Sequence, residues 1–423
     1  MSDQLTKPQL RKNLMLNSIH ESCWGVGIAF HNSYAVIPLF LHQLGAPHSV
    51  ILSVAGLFSV LLALPQFFSA IMGRNIKNQK TAVVAVHTLV LPPLFVMGFT
   101  FGVFAPTGPS AWIFYYICFI LYGLAIGFII PIWANFVQLV TNRDSRGSFL
   151  GISFMFNSIG GFVGGFLLRY ILAGDIPFPK NFGYGFLIML VSLFIGMIVF
   201  LWYDLKPVSK KQKDQTLREF LNETKMIVKT HSNFKRYILA RIFFTANFPA
   251  VSLYAVYMKD KFGFAISEAG IFTILNVFAF GIGSYVVGHL GDRIGHKNAL
   301  AISFIGHLLA LVMALTATSM VGVYAVFFLL GFALGAFMPA SLNLVYDFAG
   351  ERDNKTYMAL IDTSLAPFTI LMIVLAASIG AIMGTQFILA AVGVSLIIGL
   401  LILFFWVKDP NQKEQDVSLP RNA

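Results

Sequence analysis

Twelve long apolar stretches constrain this chain more than any other feature. They fall at about 14–41, 48–72, 81–104, 111–139, 147–172, 182–204, 236–258, 267–290, 298–318, 321–347, 356–383 and 387–407. A helix needs roughly 20 apolar residues to cross the hydrocarbon core of a bilayer. Within that core the backbone must satisfy its own hydrogen bonds, so stretches of this length predict an all-α integral membrane protein with twelve transmembrane helices. Composition agrees, with 57% of the 423 residues hydrophobic and only 11% charged, against about 25% charged in soluble chains. That balance excludes a disordered chain and an enzyme with a solvated shell.

The formal charge of +11 invites a nucleic-acid reading, and the placement of the charge removes it. With the N-terminus inside, only Arg169, Lys180, Lys259, Lys261 and Arg241 of the 29 Lys and Arg fall outside the tails and even-numbered loops. This is the positive-inside pattern, and it predicts that both termini are cytoplasmic. Lys7, Arg11 and Lys12 precede the first stretch as they would in a signal peptide. That stretch contains Glu21 and is longer than the roughly 7–15 residues of a signal-peptide apolar region, so it reads as an uncleaved first helix. Cys23 and Cys118 lie inside stretches and read as small packing residues.

The long polar segment 205–235 separates six stretches from six, giving an N-terminal bundle over 1–204, a linker over 205–235 and a C-terminal bundle with its tail over 236–423. Within the linker, Thr216-Leu217-Arg218-Glu219 fits a capping box. Leu217, Phe220, Leu221, Ile227 and Val228 then recur at near-helical spacing. The pattern reads as an amphipathic helix on the membrane surface, or else as a solvated tether. An internal repeat supports two halves. Gly123, Gly127, Pro131 and Asn135 of the fourth stretch recur as Gly331, Gly335, Pro339 and Asn343 of the tenth, and Arg143-Asp144-Ser145-Arg146 is matched by Arg352-Asp353-Asn354-Lys355. Parallel six-helix repeats with a solute site between them are a transporter architecture.

Gly288-His289-Leu290-Gly291-Asp292-Arg293-Ile294-Gly295-His296-Lys297 resembles the signature loop of the major facilitator superfamily, and with the six-plus-six layout the resemblance covers essentially the whole chain. Its first-half counterpart, Gly73 to Lys80, keeps basic residues but lacks the Asp and the second Gly. The resemblance implies that Asp292 latches the cytoplasmic side, with Arg293 holding the loop in the cytosol and Arg352 as partner. It also implies that stretches one, four, seven and ten line a central cavity.

Polar groups inside the spans are costly and are the default site candidates. Glu21, Arg241 and Asp362 are the ionisable ones, about two, one and a half and two turns into their helices. Glu21 and Arg241 occupy similar depths on equivalent helices and are expected to pair across the halves in one state and part in the other. A carboxylate whose cation departs can take up a proton, so these residues and Asp362 are candidates for proton coupling. A static ion pair or snorkelling is the bland alternative. His31, Asn32, Tyr34, Asn157, Asn247 and Asn276 lie near mid-span, with Asn135 and Asn343 lower; Trp133, Tyr254 and Tyr346 are nearby. These uncharged donors and acceptors suit a polar organic solute, while interhelical hydrogen bonding is the structural alternative for each Asn. His87 and His307 occupy matching positions and read as structural. The glycines of the fifth stretch partly resemble the antiporter motif of drug-efflux members, but Gly161 stands where that motif has Pro, and close helix packing explains them.

Nucleotide-binding, metalloprotease and hydrolase motifs are not evident, so neither an enzyme nor a direct nucleotide-driven pump is expected. The reading is a secondary transporter of a small organic solute by alternating access, with proton-coupled uptake. The expected partners are the lipid bilayer, the solute and protons, with no nucleic acid, no cofactor, no metal and a monomeric state. Efflux antiport is the alternative within this class, and lipid flipping a further one. A receptor on the same scaffold, which would call for an appended signalling domain, is the alternative of another class.

Overall fold

The computed structural model describes residues 4–72, 76, 78–142, 145–207, 217–350 and 354–410, and among these it is helical with no strand. The helices are α1 (Lys7–Ala29), α2 (Val36–Gln43), α3 (His48–Met72), α4 (Gln79–Thr88), α5 (Leu91–Phe99), α6 (Pro109–Val140), α7 (Arg146–Ala173) and α8 (Lys180–Ile198). They continue as α9 (Leu217–Thr230), α10 (Ser232–Thr245), α11 (Asn247–Phe262), α12 (Glu268–Ile294), α13 (His296–Thr316), α14 (Met320–Ala349), α15 (Asn354–Met383) and α16 (Thr385–Leu401). Among the described residues, eleven helical segments are long and apolar enough to cross a membrane. The first expected span differs from a continuous helix. It is the pair α1 and α2, interrupted at 30–35, and the seventh is likewise two helices, α10 and α11.

Local chemistry accounts for both breaks. Pro38 and Pro249 stand at the third residue of α2 and α11. Proline has no N–H to return to the carbonyl four residues earlier, so it fits the first turn and not the middle of a helix. At the first break Asn32 supplies the substitute bonds. Its Oδ1 accepts from the backbone N–H of Ala35 and of Val36, both at 3.0 Å. Asn competes with the helix in this way whenever its side chain can reach nearby amides.

Each half is laced to itself by glycine contacts. A Cβ on Gly25 or Gly160 would collide with backbone across the α1/α7 contact, and one on Gly164 would lie 2.7 Å from the Val26 carbonyl. In the second half, Gly283, Gly331 and Gly335 play the same part between α12 and α14. Small residues let helix backbones approach closely where lipid supplies no hydrophobic drive.

An asparagine clasp closes each half at the face where α1 begins and α16 ends, here termed the terminal face. Asn13 donates to the Asp204 carbonyl at 2.8 Å and accepts from the Asp204 N–H at 2.9 Å. Asn233 does the same with Lys408, at 2.9 Å in both directions. Thus the first helix of each half is tied to the chain leaving its last helix. Both Asn side chains are buried. The α9 helix has Ile227 buried and Met226 exposed; Thr216, the expected cap, lies outside the described residues.

Two outcomes test this packing. Asn13→Ala or Asn233→Ala leaves buried backbone groups unpaired, and each is expected to lower stability by about 1–3 kcal/mol, read as a lower thermal midpoint in detergent. Gly160→Val overpacks the α1/α7 contact and is expected to cost about 1–3 kcal/mol or more by the same measurement. A midpoint unchanged in the glycine variant would show that the two backbones are not in contact.

Candidate functional site

The two halves meet through α7 with α12, α3 with α15 and α11, and α2 with α11. The position of the bonds along these helices matters more than their number. Asn32 Nδ2 donates to Thr273 Oγ1 at 2.9 Å, and the Ala55 N–H donates to Ser252 Oγ at 2.8 Å. His42 Nε2 lies 3.4 Å from Asp260 Oδ1, and Thr385 Oγ1 lies 3.2 Å from His48 Nε2. Side-chain contacts follow the same rule: Cβ positions built at Gly161, Gly165 and Gly56 fall 3.1, 2.7 and 2.7 Å from Val277, Ile274 and Ile373. All these residues lie in the parts of their helices remote from the terminal face. The hydrogen bonds and ion pairs identified between the halves all lie away from the terminal face. There α6 and α14 expose matching positions: Ala134 and Gln138 on one, Leu342 and Tyr346 on the other.

The ionisable candidates lie on the terminal side of these ties, each bound within its own half. Glu21, 6% exposed, accepts from Asn157 Nδ2 at 3.0 Å, joining α1 to α7. Arg241, 8% exposed, donates from Nη1 to Tyr237 Oη at 2.9 Å and to Ser341 Oγ at 2.6 Å. Its guanidinium carbon sits 4.5 Å from the centre of the Phe337 ring, in cation–π range. Asp362 on α15 lies within the electrostatic reach of Arg241 but forms no ion pair with it among the described residues. Glu21 and Arg241 are therefore not brought together in this state.

The uncharged candidates divide into two groups. Asn32 is saturated: its Oδ1 caps α2, and its Nδ2 serves the Ala29 carbonyl and Thr273. Thr273, which the sequence did not single out, is thus a junction between halves, and Tyr34 is half-buried in the break between α1 and α2. Asn276 donates to the Phe327 carbonyl at 3.3 Å and joins α12 to α14. The bonds of Asn32 and Asn276 are interhelical ties. Others are buried with an unmet polar atom: Asn247 Oδ1, Tyr254 Oη, Trp133 Nε1 and His31 Nδ1. Orphaned buried groups are costly and call for an explanation, such as a bound solute or water. His31 differs from a cleft-facing residue, however. Its Nε2 lies 3.0 Å from Tyr115 Oη, and Phe119, Tyr122 and Phe186 enclose its ring within the first half. Asn135 and Asn343 are half-buried on α6 and α14 and make no hydrogen bond among the described residues.

The expected latch is only partly visible. Asp292 and Arg293 are exposed at the end of α12, while Arg352 lies outside the described residues, as do Arg143, Asp144 and Gly73 to Asn75. The partner in reach of Asp292 is His296, at 3.6 Å, and His296 Nδ1 lies 2.6 Å from Asp347 Oδ2. His87 and His307 are buried and bond the carbonyls of Val83 and Ser303 on their own helices, which is the structural role expected of them.

A family model for the Major Facilitator Superfamily matches residues 22–248 and 237–420. The uncharacterized MFS-type transporter YuxJ of Bacillus subtilis (strain 168) is 26% identical over 272 residues, covering 62% of this chain and 64% of that protein. The match therefore spans less than two thirds of the relative's length. The solved structure of the nucleoside transporter NupG superposes with a TM-score of 0.70 at 13% identity, covering 95% of this chain and all of that one. The D-xylose-proton symporter also gives 0.70 at 13% identity, covering 95% and 99%. At such identities the likeness is one of fold. Taken with the family match across both halves, it establishes that this multi-pass membrane chain belongs to the Major Facilitator Superfamily.

Proposed function

We propose that the chain is a secondary transporter that carries a small organic solute by alternating access, in the direction of proton-coupled uptake. The observation that carries this reading is the one-sided distribution of bonds between halves. Each half is laced to itself at the terminal face by a clasp, and the ties identified between the halves among the described residues lie away from it. Two rigid units joined at one end form a cleft open at the other. The basic residues of the tails and even-numbered loops put the terminal face in the cytoplasm. On that assignment this is an inward-open state.

Counting the interrupted pair α1–α2 as one span gives twelve, arranged as bundles over 1–204 and 236–423 with a linker between. The solute is read as lying among Asn247, Tyr254 and Trp133, whose polar atoms are unfilled, with Asn135 and Asn343 nearer the mouth. Asn32 and Asn276 are read as ties that set the shape of the site. Glu21 and Asp362 serve proton coupling. Each is a carboxylate in a poorly hydrated wall, held by neutral or distant partners, where a change of surroundings alters proton affinity. The fold shared with a proton symporter supports that assignment.

Uptake into proteoliposomes, measured across a solute panel with and without an imposed pH gradient, tests the proposal. One pH unit is worth about 1.4 kcal/mol per proton, so one proton per solute is expected to drive about tenfold accumulation. In Glu21→Gln or Asp362→Asn, that accumulation is expected to fall toward unity while exchange persists. PH dependence unchanged in both variants would overturn the coupling role. A second outcome concerns the tie between halves. The exposed His42–Asp260 contact is worth about 0.2–1 kcal/mol. Asp260→Ala is therefore expected to raise labelling of a cysteine placed at Ser252, from the side opposite the termini, by no more than about fivefold.

A further inference from the structure

Arg241 is the most expensive side chain in the bundle for what surrounds it. A guanidinium keeps its charge at any physiological pH, and this one is 92% buried within a membrane-spanning segment. A buried charge normally requires a counter-charge and a full set of hydrogen bonds. Among the described residues Arg241 has Asp362 as the acidic group in electrostatic reach but makes no ion pair, and its hydrogen-bond set is incomplete. Its two acceptors are the neutral hydroxyls of Tyr237 and Ser341, and both are served by Nη1. Phe337 covers a face of the guanidinium. Nε is buried with no acceptor, and Nη2 makes no hydrogen bond among the described residues. The filled and unfilled donors are thus segregated. One nitrogen is anchored, and the edge formed by Nε and Nη2 is left over. That edge binds a carboxylate or phosphate through two parallel bonds.

We infer that Arg241 is the anchor for an anionic group, a carboxylate or a phosphate, on the solute that this protein carries. The inference rests on the transport reading above and deepens it. Tyr237 and Ser341 are positioning residues that hold the guanidinium against Phe337 and orient its free edge. Asp362 is the acidic group whose charge reaches Arg241, and a solute anion competes with it there. Because Nε is closed off in this state, the two-bond contact forms only when the surrounding side chains shift. Anion binding is therefore linked to conformation, as an interaction must be if it is to bias one state over another.

Counterflow in proteoliposomes, which needs no proton gradient, tests this. The probes are a panel of small carboxylates and phosphate monoesters, each beside its amide or alcohol isostere, so that the two anion classes are distinguished. Uptake is expected for members of one anionic class and not for their neutral isosteres. Arg241→Gln is expected to raise the KM for that anion about 10–100-fold, the range for charge-assisted hydrogen bonds. Arg241→Lys, which keeps the charge but loses the fork, falls between. Asp362→Asn lowers the KM by removing the competing charge. If Arg241→Gln fails to fold, as judged by elution and thermal midpoint, the Lys variant decides. Uptake confined to neutral or cationic solutes, or an anion KM that does not move in the Arg241 variants, overturns the inference and leaves transport standing. Absence of counterflow for every probe removes the transport reading and this inference together.

Discussion

The contact between α7 and α12 sets what the rest of the molecule can do, because α7 presents two different kinds of surface. Gly160 and Gly164 face α1 of the same half, where backbone meets backbone. Gly161 and Gly165 face α12 of the other half, where they meet the side chains of Val277 and Ile274. A contact between two backbones has no soft degree of freedom, since moving one helix moves the other. A contact through side chains tolerates small rotations, because rotamers can adjust. Around Gly161 the contact with the partner half is compliant, whereas at the end of α7 remote from the terminal face the two backbones meet, since a Cβ on Gly270 would fall 2.7 Å from the Cα and N of Arg169. Within a half, rigid packing transmits displacement, and between halves the close backbone approach is at Gly270 and Arg169, away from the terminal face.

The polar ties fall into the same order. Asn13 and Asn233 each exchange two hydrogen bonds with the backbone at the end of their own half. In a poorly hydrated setting such bonds are costly to leave unmade. The cross-half ties are mixed: buried bonds from Asn32 to Thr273 and from the Ala55 N–H to Ser252, an exposed contact at His42 and Asp260, and one at Thr385 and His48. Those near the surface can be exchanged for water at little cost. Separation of the halves is therefore cheap where water can enter. Opening a half would strand buried groups. This ordering favours motion of the halves as units.

Much of the fold was legible in the sequence because lipid leaves few alternatives: an apolar stretch of sufficient length becomes a helix. The repeat of Gly, Pro and Asn in the fourth and tenth spans was equally visible and falls on α6 and α14. What was missed left only a partial signal. Pro38 and Pro249 fit the restarts of the first and seventh spans, but Pro65, Pro131, Pro339 and Pro367 lie inside continuous helices, so proline alone does not separate a broken span from an unbroken one. Asn13 and Asn233 looked like ordinary polar residues at helix entrances, and only their three-dimensional partners reveal the clasps. The candidate site was less legible. Sequence depth placed His31 and Asn276 with Asn247, but depth carries no azimuth. Of three residues at similar heights, one faces an aromatic cage, one bonds a neighbouring helix and one is buried with its Oδ1 unpaired. Asp292 was paired on paper with Arg352, which lies outside the described residues; among those described, His296 is 3.6 Å from it.

The ionisable residues show why charge in these walls is kept apart. Had Glu21 and Arg241 been locked together, their mutual attraction in a low-dielectric interior would hold the halves in one arrangement. Instead each charge is stabilised by neutral donors or acceptors of its own half, Asn157 for one and Tyr237 with Ser341 for the other. Such partners make each charge tolerable without committing it to the opposite wall. A charge stabilised in this way remains responsive to a mobile counter-charge, whether a proton on the carboxylate or an anion on the guanidinium. Only groups that are incompletely neutralised at rest have free energy left to couple binding to a change of state, because coupling is a difference between states and not a property of either one.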